Sequence, residues 1–522
     1  MLRPIHQPSQ GQIMAPPAHI IALPAELLFY ISKFLDIPTI LQLQRTCKSL
    51  LDIGRDRSVW MGIFDTMQGS QPLPCVRQEL ENMEPLEMQR TLVSAFKVER
   101  TFLLPRESAS LLLPNNDHGR TCVPPDSPLS NVSFVLDEYT LLGYTDGTAS
   151  LWATSEGTPS FLYAHFSLPE NWILYNHCLS ADESILYIAV CRTSGLRAQI
   201  YRVPLGVKQA SSVAFPLPFE RVTDTDLGTQ YLLRSIDPES NLLLMYEFAS
   251  SIVVLNWKTG KQGNVPIHME DPGEAWIIAL RLCGPFILSF TAHSIKAYPL
   301  PCVGRSPHHL PVLKHTSTGL VQDQMTLSDV HQTSRNSEEA YTIYVLAHDL
   351  HSGISYYKVT ITLPLNDDAQ PSSLSVDVMG KYKITAIDSF YRPQEDSTDP
   401  TFSSLTPAVR TGFVSQLSLG STGMRGAWVE WERGSMSRRV VAFTLNPNRL
   451  AEESPVEESK PHRDCTGSAR PSMTAPYLKG KCIWEYDTPS RDDMPLCAVS
   501  ESTGRIVIGS GSGYVQLLEC AA

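Results

Sequence analysis

The most constraining feature of this sequence is a pattern of short strand-turn-strand units that recurs from about residue 100 to the end of the chain. In the clearest unit, which runs from Asn131 to Trp152, apolar and polar residues alternate and Asp146-Gly147 supplies a strong hairpin-turn signal. A second unit of the same form runs from Leu242 to Trp257. Further units lie near 174–205, 276–300, 341–363, 427–445 and 496–518. The pattern predicts an all-β domain of about four hundred residues.

Composition favours the same fold class. The 522-residue chain holds 39 prolines against 30 glycines, and only 18% of its residues are charged. A mostly helical protein needs more charged residues for its solvent faces, and a disordered chain would hold fewer than the 42% of apolar residues found here. Coiled coils, helical solenoids and wholly disordered chains are therefore disfavoured.

Charge and cysteine content disfavour several classes of function. The formal net charge is -12 with no basic run, so the chain lacks the electrostatic footprint of a nucleic-acid-binding protein. The 11 cysteines never form a Cys-x-x-Cys pair, unlike a zinc ribbon or a disulfide scaffold. We find no apolar stretch suited to a signal peptide or a membrane span, since Trp276–Phe290 is short and interrupted. We therefore expect a cytoplasmic or nuclear protein with no nucleic-acid or membrane partner.

Before the strand pattern begins, the sequence has helical periodicity. From residue 20 to about residue 64, apolar residues at helical spacing predict three short helices. The first begins near Pro24 and carries Leu27, Leu28, Ile31, Phe34 and Leu35; the second carries Ile40, Leu41, Leu43, Cys47, Leu50 and Leu51; the third carries Val59, Trp60 and Phe64. Three such helices cannot bury this apolar surface among themselves, so we expect a partner surface to cover part of it.

The ordered apolar residues of these helices resemble an F-box, the module that docks a substrate receptor onto the Skp-type adaptor of a cullin-based (SCF) ubiquitin ligase. The match consists of Leu-Pro-x-Glu-Leu-Leu from residue 23, Ile-x-x-x-Leu-Asp from residue 31, Ile-Leu-x-Leu from residue 40 and Cys-Lys from residue 47. Ile40, Thr46 and Leu50 depart from the residues usual in the family. The resemblance implies adaptor-binding roles for Leu23, Pro24, Glu26, Leu27, Ile31, Leu35, Leu41, Leu43, Cys47, Leu50 and Trp60. The alternative is that this apolar surface packs on the β domain or on a helix predicted at 85–99.

The strand units recur roughly every 40 to 50 residues, which is the period of a propeller blade. The segments TDGTASLW (145–152) and NWKTGK (256–261) resemble parts of a WD-repeat β-propeller, although the Gly-His and Trp-Asp dipeptides of that family are absent. We predict seven blades, with six and eight left open. In such a fold the last blade is often completed by a strand from the start of the domain.

The predicted domain order combines both resemblances. A disordered tail is predicted at 1–19, an F-box at 20–66, a linker and connecting helix at 67–100, and a β-propeller at 101–522. Loop insertions are predicted near 301–340, 391–410 and 449–473, because these stretches hold few large apolar residues. The tryptophans Trp152, Trp257 and Trp484 are expected to pack between blades.

No arrangement of residues points to catalysis or to a cofactor. Gly509–Gly513 lacks the Gly-Lys-Ser/Thr of a phosphate-binding loop. His308, His309 and His315 have no cysteine or carboxylate at ligand spacing, so no metal site is predicted. Neither G-x-S-x-G nor H-E-x-x-H occurs, and we therefore predict no catalytic residue, metal or cofactor.

The two resemblances together imply a non-catalytic substrate receptor of an SCF-type ligase whose propeller binds an unknown protein target. The first alternative is a propeller scaffold that acts outside ubiquitin transfer, and the remote one is a propeller-fold hydrolase or glycan-binding protein. Recognition of a phosphorylated target would need an arginine cluster. The sequence leaves open whether Arg221, Arg234, Arg281 and Arg425 come together.

Overall fold

A computed structural model of the chain places helices first and strands after them. It describes residues 23–519 except for 69–70, 76, 103–110, 113–127, 155–160, 169–171, 193, 195, 207–215, 228–229, 248–250, 268–275, 302–310, 317–321, 336–337, 350–352, 365–371, 383, 385–411, 433–434, 446–477, 489–494 and 512–514. The predicted tail at 1–19 and the predicted loops at 391–410 and 449–473 lie outside the described residues. The chain divides into two units, residues 1–97 and 98–522.

The N-terminal helices are α1 (Ala25–Ser32), α2 (Ile37–Gln44), α3 (Lys48–Gly54), α4 (Arg57–Gln68), α5 (Arg77–Asn82) and α6 (Pro85–Thr101). The connecting helix predicted at 85–99 corresponds to α6. The predicted second helix is divided into α2 and α3, because the chain turns at residues 45–47. There the hydroxyl of Thr46 donates to the carbonyl of Leu43 at 2.7 Å, a local bond that competes with helix continuation. None of the helices in the described ranges has the length and apolar character needed to cross a bilayer.

Seven β-sheets follow in the described part of the chain, and each forms one blade of a propeller. Blade 1 consists of β2 (Leu129–Val135), β3 (Tyr139–Tyr144), β4 (Thr148–Ala153) and β5 (Phe161–Ser167), and blade 2 of β6 (Trp172–Leu179), β7 (Ile185–Arg192), β8 (Arg197–Pro204) and β10 (Glu220–Asp226). The short strand β9 (Leu217–Pro218) pairs in parallel with β5. Blade 3 consists of β11 (Leu232–Asp237), β12 (Leu242–Glu247), β13 (Ser251–Asn256) and β14 (Gln262–Pro266).

Blade 4 consists of β15 (Ile277–Cys283), β16 (Phe286–Thr291), β17 (Ser294–Pro299) and β18 (Leu313–Thr316). Blade 5 consists of β19 (Gln322–Leu327), β20 (His331–Arg335), β21 (Glu338–Asp349), β22 (Gly353–Pro364) and β23 (Ser373–Tyr382). Blade 6 consists of β24 (Gly412–Leu419), β25 (Arg425–Glu432), β26 (Ser437–Thr444) and β27 (Lys481–Asp487). The seven-blade prediction is confirmed.

Blade 7 combines strands from both ends of the β domain. Its strands β28 (Leu496–Val499), β29 (Arg505–Gly509) and β30 (Val515–Glu519) come from the end, and β1 (Leu111–Leu112) pairs antiparallel with β30. This arrangement confirms the prediction that an early strand completes the last blade. It removes the open edge that a linear row of blades would leave.

Apolar clusters lie between neighbouring blades. Leu141 and Leu151 of blade 1, for example, pack with Leu186 and Ile188 of blade 2, and all four are buried. The three tryptophans behave as predicted, because each packs against a cluster shared by two blades; they are Trp257 (blades 2 and 3), Trp484 (blades 6 and 7) and Trp152 (blades 7 and 1).

Residues 301–340, for which a loop is predicted, contain β18, β19 and β20. These strands are short and largely polar, which is why composition indicated a loop. A strand that packs on one side only needs few large side chains, and here Leu313, Met325 and Leu327 suffice to reach the cluster between blades 4 and 5. Pairing partners elsewhere in the chain, rather than local composition, stabilise these strands.

Candidate docking surface on the N-terminal helices

The interior of the helical unit is organised around Trp60. Its side chain is fully buried, and its indole N–H donates to the carbonyl of Gly54 at 2.8 Å. The side-chain amide of Gln44 donates to the same carbonyl at 2.6 Å. A Cβ atom at Gly54 would lie 2.5 Å from Cγ of Gln44, so a larger residue there would require the Gln44 side chain to move. Trp60 thus ties α4 to the end of α3 and has no surface to offer a partner.

The apolar residues of α1 and its flanks point in two directions. Leu28 is buried, and Ile31 and Leu35 are partly buried, on the side that faces α2–α4. Four other large side chains are exposed, namely Leu23 (37%), Leu27 (49%), Tyr30 (60%) and Phe34 (72%). Leu27 and Tyr30 lie three residues apart in α1 and share one side of it, whereas Leu23 precedes the helix and Phe34 follows it. We call this set the docking stripe.

The two aromatic residues of the docking stripe touch each other. The rings of Tyr30 and Phe34 meet edge to face, with centroids 5.2 Å apart. This geometry is favourable for aromatic pairs, so the two rings stabilise each other's position although both are exposed to solvent. Four exposed large apolar residues on a short helix and its two flanks are typical of an interaction site.

A shallow apolar pocket lies beside α1. It is lined by Leu28, Ile31, Ser32, Leu35, Ile40, Leu43, Leu50, Ile53, Gly54 and Val59 from four helices. The pocket therefore brings Ile31, Leu35, Leu43 and Leu50 of the predicted site residues together.

A protein-family comparison identifies the module that these helices form. The family model described as F-box-like matches residues 20–66. Residues 20–66 are an F-box-like domain. The chain thus joins an F-box to a seven-bladed β-propeller.

Solved structures similar to this chain include other propellers. The β-propeller domain of Myceliophteria thermophila Cps50 (Swd1) has a TM-score of 0.44 at 10% identity, covering 78% of this chain and 99% of that chain. The WD40 domain of Neurospora crassa Pan2 has a TM-score of 0.38 at 9% identity, covering 79% and 94%. The WD40 β-propeller domain of Doa1 has a TM-score of 0.35 at 12% identity, covering 76% and 93%. A search of curated protein sequences found no match.

The predicted site residues of the F-box fall into three groups. Leu23, Pro24, Glu26 and Leu27 are exposed; Ile31, Leu35, Leu41, Leu43 and Cys47 are partly buried; Leu50 and Trp60 are buried. The first two groups are accessible to an adaptor, and their roles stay predictions. Leu50 and Trp60 can act only by supporting the other residues in this conformation.

Tyr30 and Phe34 are not among the site residues predicted from the sequence. Phe34 is predicted to belong to the first helix, but it follows α1 and is exposed. The available signal was the four-residue spacing of Tyr30 and Phe34, because residues at that spacing are neighbours along one side of a helix.

Local polar contacts fix several helices of the N-terminal unit. The carboxylate of Asp36 accepts the backbone N–H of Thr39 at 2.9 Å and caps α2. Glu26 lies in the first turn of α1, where its negative charge interacts favourably with the positive end of the helix dipole. Arg77 pairs with Asp65 and Glu81 on the surface, and these two carboxylates raise its pKa.

The four propeller arginines considered for phosphate recognition each contact a different acceptor. Arg221 pairs with Asp224 at 3.4 Å, and Arg281 pairs with Asp329. The Arg234 guanidinium donates to the carbonyl of Ile277 at 3.1 Å. Arg425 is fully buried and pairs with Glu99 at 2.6 Å. Three of the four arginines therefore contact a carboxylate, and Arg234 contacts a carbonyl. The described residues also contain no group of three His, Cys, Asp or Glu side chains placed for a metal ion.

Proposed function

We propose that this chain is the substrate-recognition subunit of an SCF-type cullin-based ubiquitin ligase. The F-box binds the Skp-type adaptor and through it a cullin, and the propeller binds a protein target. The chemistry of ubiquitin transfer belongs to other subunits, so this chain contributes positioning and no catalytic group. Such a role places the chain in the cytoplasm or the nucleus.

The docking stripe is the observation that supports this proposal best. Its four large side chains are exposed in the F-box, and α6 does not cover them. Burying one such side chain completely contributes about 1.5–3 kcal/mol, so covering the exposed halves of four contributes roughly 3–6 kcal/mol. An apolar groove between adaptor helices would supply that cover, in the usual mode in which a helix lays its apolar face into a groove.

The adaptor proposal is tested by binding of the purified full-length chain to a Skp-type adaptor. We expect the wild type to bind, and the double variant Leu27→Asp/Phe34→Asp to bind at least about tenfold more weakly, because two charges would have to be desolvated in the interface. Isothermal titration calorimetry or surface plasmon resonance measures the difference.

Leu86→Asp is the matched control for this experiment. Leu86 lies at the start of α6 and is 48% exposed, against 49% for Leu27, but it is outside the docking stripe. It should bind the adaptor like the wild type. Equal binding by the stripe variant and the wild type, or absence of wild-type binding, would show that the proposal is wrong.

A second experiment separates a ligase receptor from a propeller scaffold that acts outside ubiquitin transfer. The Leu27→Asp/Phe34→Asp chain should capture target proteins in cells without delivering them to the ligase. Proteins enriched on this variant should become ubiquitinated in a reconstituted reaction that contains the wild type, and not in one that contains the variant. Enriched partners that are never ubiquitinated would favour the scaffold.

A further inference from the structure

An arginine is buried at the seam between blades 6 and 7. Arg425 begins β25, and its side chain is fully buried. One guanidinium nitrogen donates to the backbone carbonyl of Glu501, in the turn between β28 and β29, at 2.5 Å. The other donates to the carboxylate of Glu99 at 2.6 Å. Arg425 therefore links blade 6 to blade 7 and to Glu99, which precedes β1 in the chain.

Residues 98–102 belong to the same unit as the propeller. Phe102 is fully buried in the apolar cluster between blades 6 and 7, together with Val429, Ile506 and Leu518. Its ring centroid lies 5.3 Å from the guanidinium carbon of Arg425, a cation–π distance. Glu99 and Phe102 thus hold the arginine through charge on one side and through an aromatic face on the other.

The turns on either side of this seam are joined by a buried carboxylate. Glu501 accepts backbone N–H groups from Thr422 at 2.6 Å, Met424 at 2.7 Å and Arg425 at 3.0 Å. The β24–β25 turn of blade 6 is therefore hydrogen-bonded to the β28–β29 turn of blade 7, next to the ion pair of Arg425 with Glu99.

The ring is also closed by β1. In the described residues, two pairs join β1 to β30, Leu111 with Leu517 and Leu112 with Gln516. Glu99 and Phe102 contact the seam between blades 6 and 7 ahead of this strand, so the start of the β domain is attached to the ring at two places.

We propose that residues 98–102 form a clasp on the seam between blades 6 and 7, anchored by Arg425, and that this clasp closes the propeller ring together with β1. A buried charge is stable only when it is paired and hydrogen-bonded. Loss of Glu99 removes the carboxylate that the Arg425 guanidinium contacts and therefore loosens blades 6 and 7 before it loosens the opposite side of the ring.

The clasp is tested by hydrogen–deuterium exchange of the full-length chain. In Glu99→Gln and in Arg425→Met, we expect exchange in β25 and β28–β30 to become about tenfold faster, while β11–β13 of blade 3 keep their wild-type rates. The double variant Glu99→Gln/Arg425→Met should melt at a higher temperature than Arg425→Met alone, because it no longer buries the Glu99 carboxylate without its arginine. If Arg425→Met does not fold, the exchange pattern of Glu99→Gln decides.

Glu220→Gln is the matched control, because it breaks the exposed ion pair of Glu220 with Arg202 (2.8 Å) on blade 2. It should leave both the melting temperature and the exchange rates at the wild-type level. Unchanged exchange at the seam in Glu99→Gln, or equally faster exchange in all blades, would overturn the clasp. Additive effects of the two substitutions on the melting temperature would also overturn it.

Discussion

At the scale of single residues, His177 is the clearest acid-sensitive position. It lies on β6, near the Arg281–Asp329 pair, and burial lowers its pKa to about 4. Asp329 opposes this shift and Arg281 adds to it. A neutral histidine is therefore part of the folded state, whereas the unfolded chain would bind a proton near pH 6.5.

This depressed pKa predicts acid destabilisation of the propeller. Between pH 6.5 and pH 4 the unfolded state binds a proton that the folded state does not, so up to about 3 kcal/mol of stability is present above pH 6.5 and is lost as the pH falls to 4. Denaturant unfolding at several pH values measures the loss, and His177→Gln should flatten it. An unchanged pH dependence in this variant would contradict the assignment.

At the scale of elements, the first turn of α2 depends on its cap. We expect Asp36→Ala to lower the stability of the F-box by about 1 kcal/mol, because the N–H of Thr39 loses its acceptor. Circular dichroism during thermal unfolding measures the effect. Asp52→Ala, an exposed position inside α3, serves as the control and should change stability by less than about 0.5 kcal/mol. Similar losses in both variants would show that the cap is not the cause.

Local sequence patterns predict most of the elements, but not all of them. Alternation and turn residues predict most blades, and the Asp146-Gly147 turn is confirmed: Gly147 has φ 87° and the Asp146 carboxylate accepts the N–H of Thr148. The strand β20 could not be predicted, because its polar residues form a strand only by pairing with β21. For the same reason, the helical spacing of α1 predicts the helix but not which of its apolar lines is covered.

At the scale of the whole molecule, adaptor binding should change the amide exchange of one unit only. We expect it to slow amide exchange in α1–α3, which carry the docking stripe and the adjoining pocket, and to leave the strands of blades 2–4 unchanged. Hydrogen–deuterium exchange with and without the adaptor tests this. Protection of those strands by the adaptor alone would contradict a docking site confined to the F-box.

By itself, the sequence determined the order of helices and strands, the F-box motif and the approximate number of blades, because these depend on the spacing of neighbouring residues. Only the tertiary structure decided that Trp60 is internal, that Tyr30 and Phe34 are exposed, and that each of the four propeller arginines has an acceptor, a carboxylate for three of them and a carbonyl for Arg234. It also decided that Glu99 and Phe102 contact blades 6 and 7. The physical reason is distance along the chain: Glu99 and Arg425 are 326 residues apart, and no local pattern encodes a contact of that range.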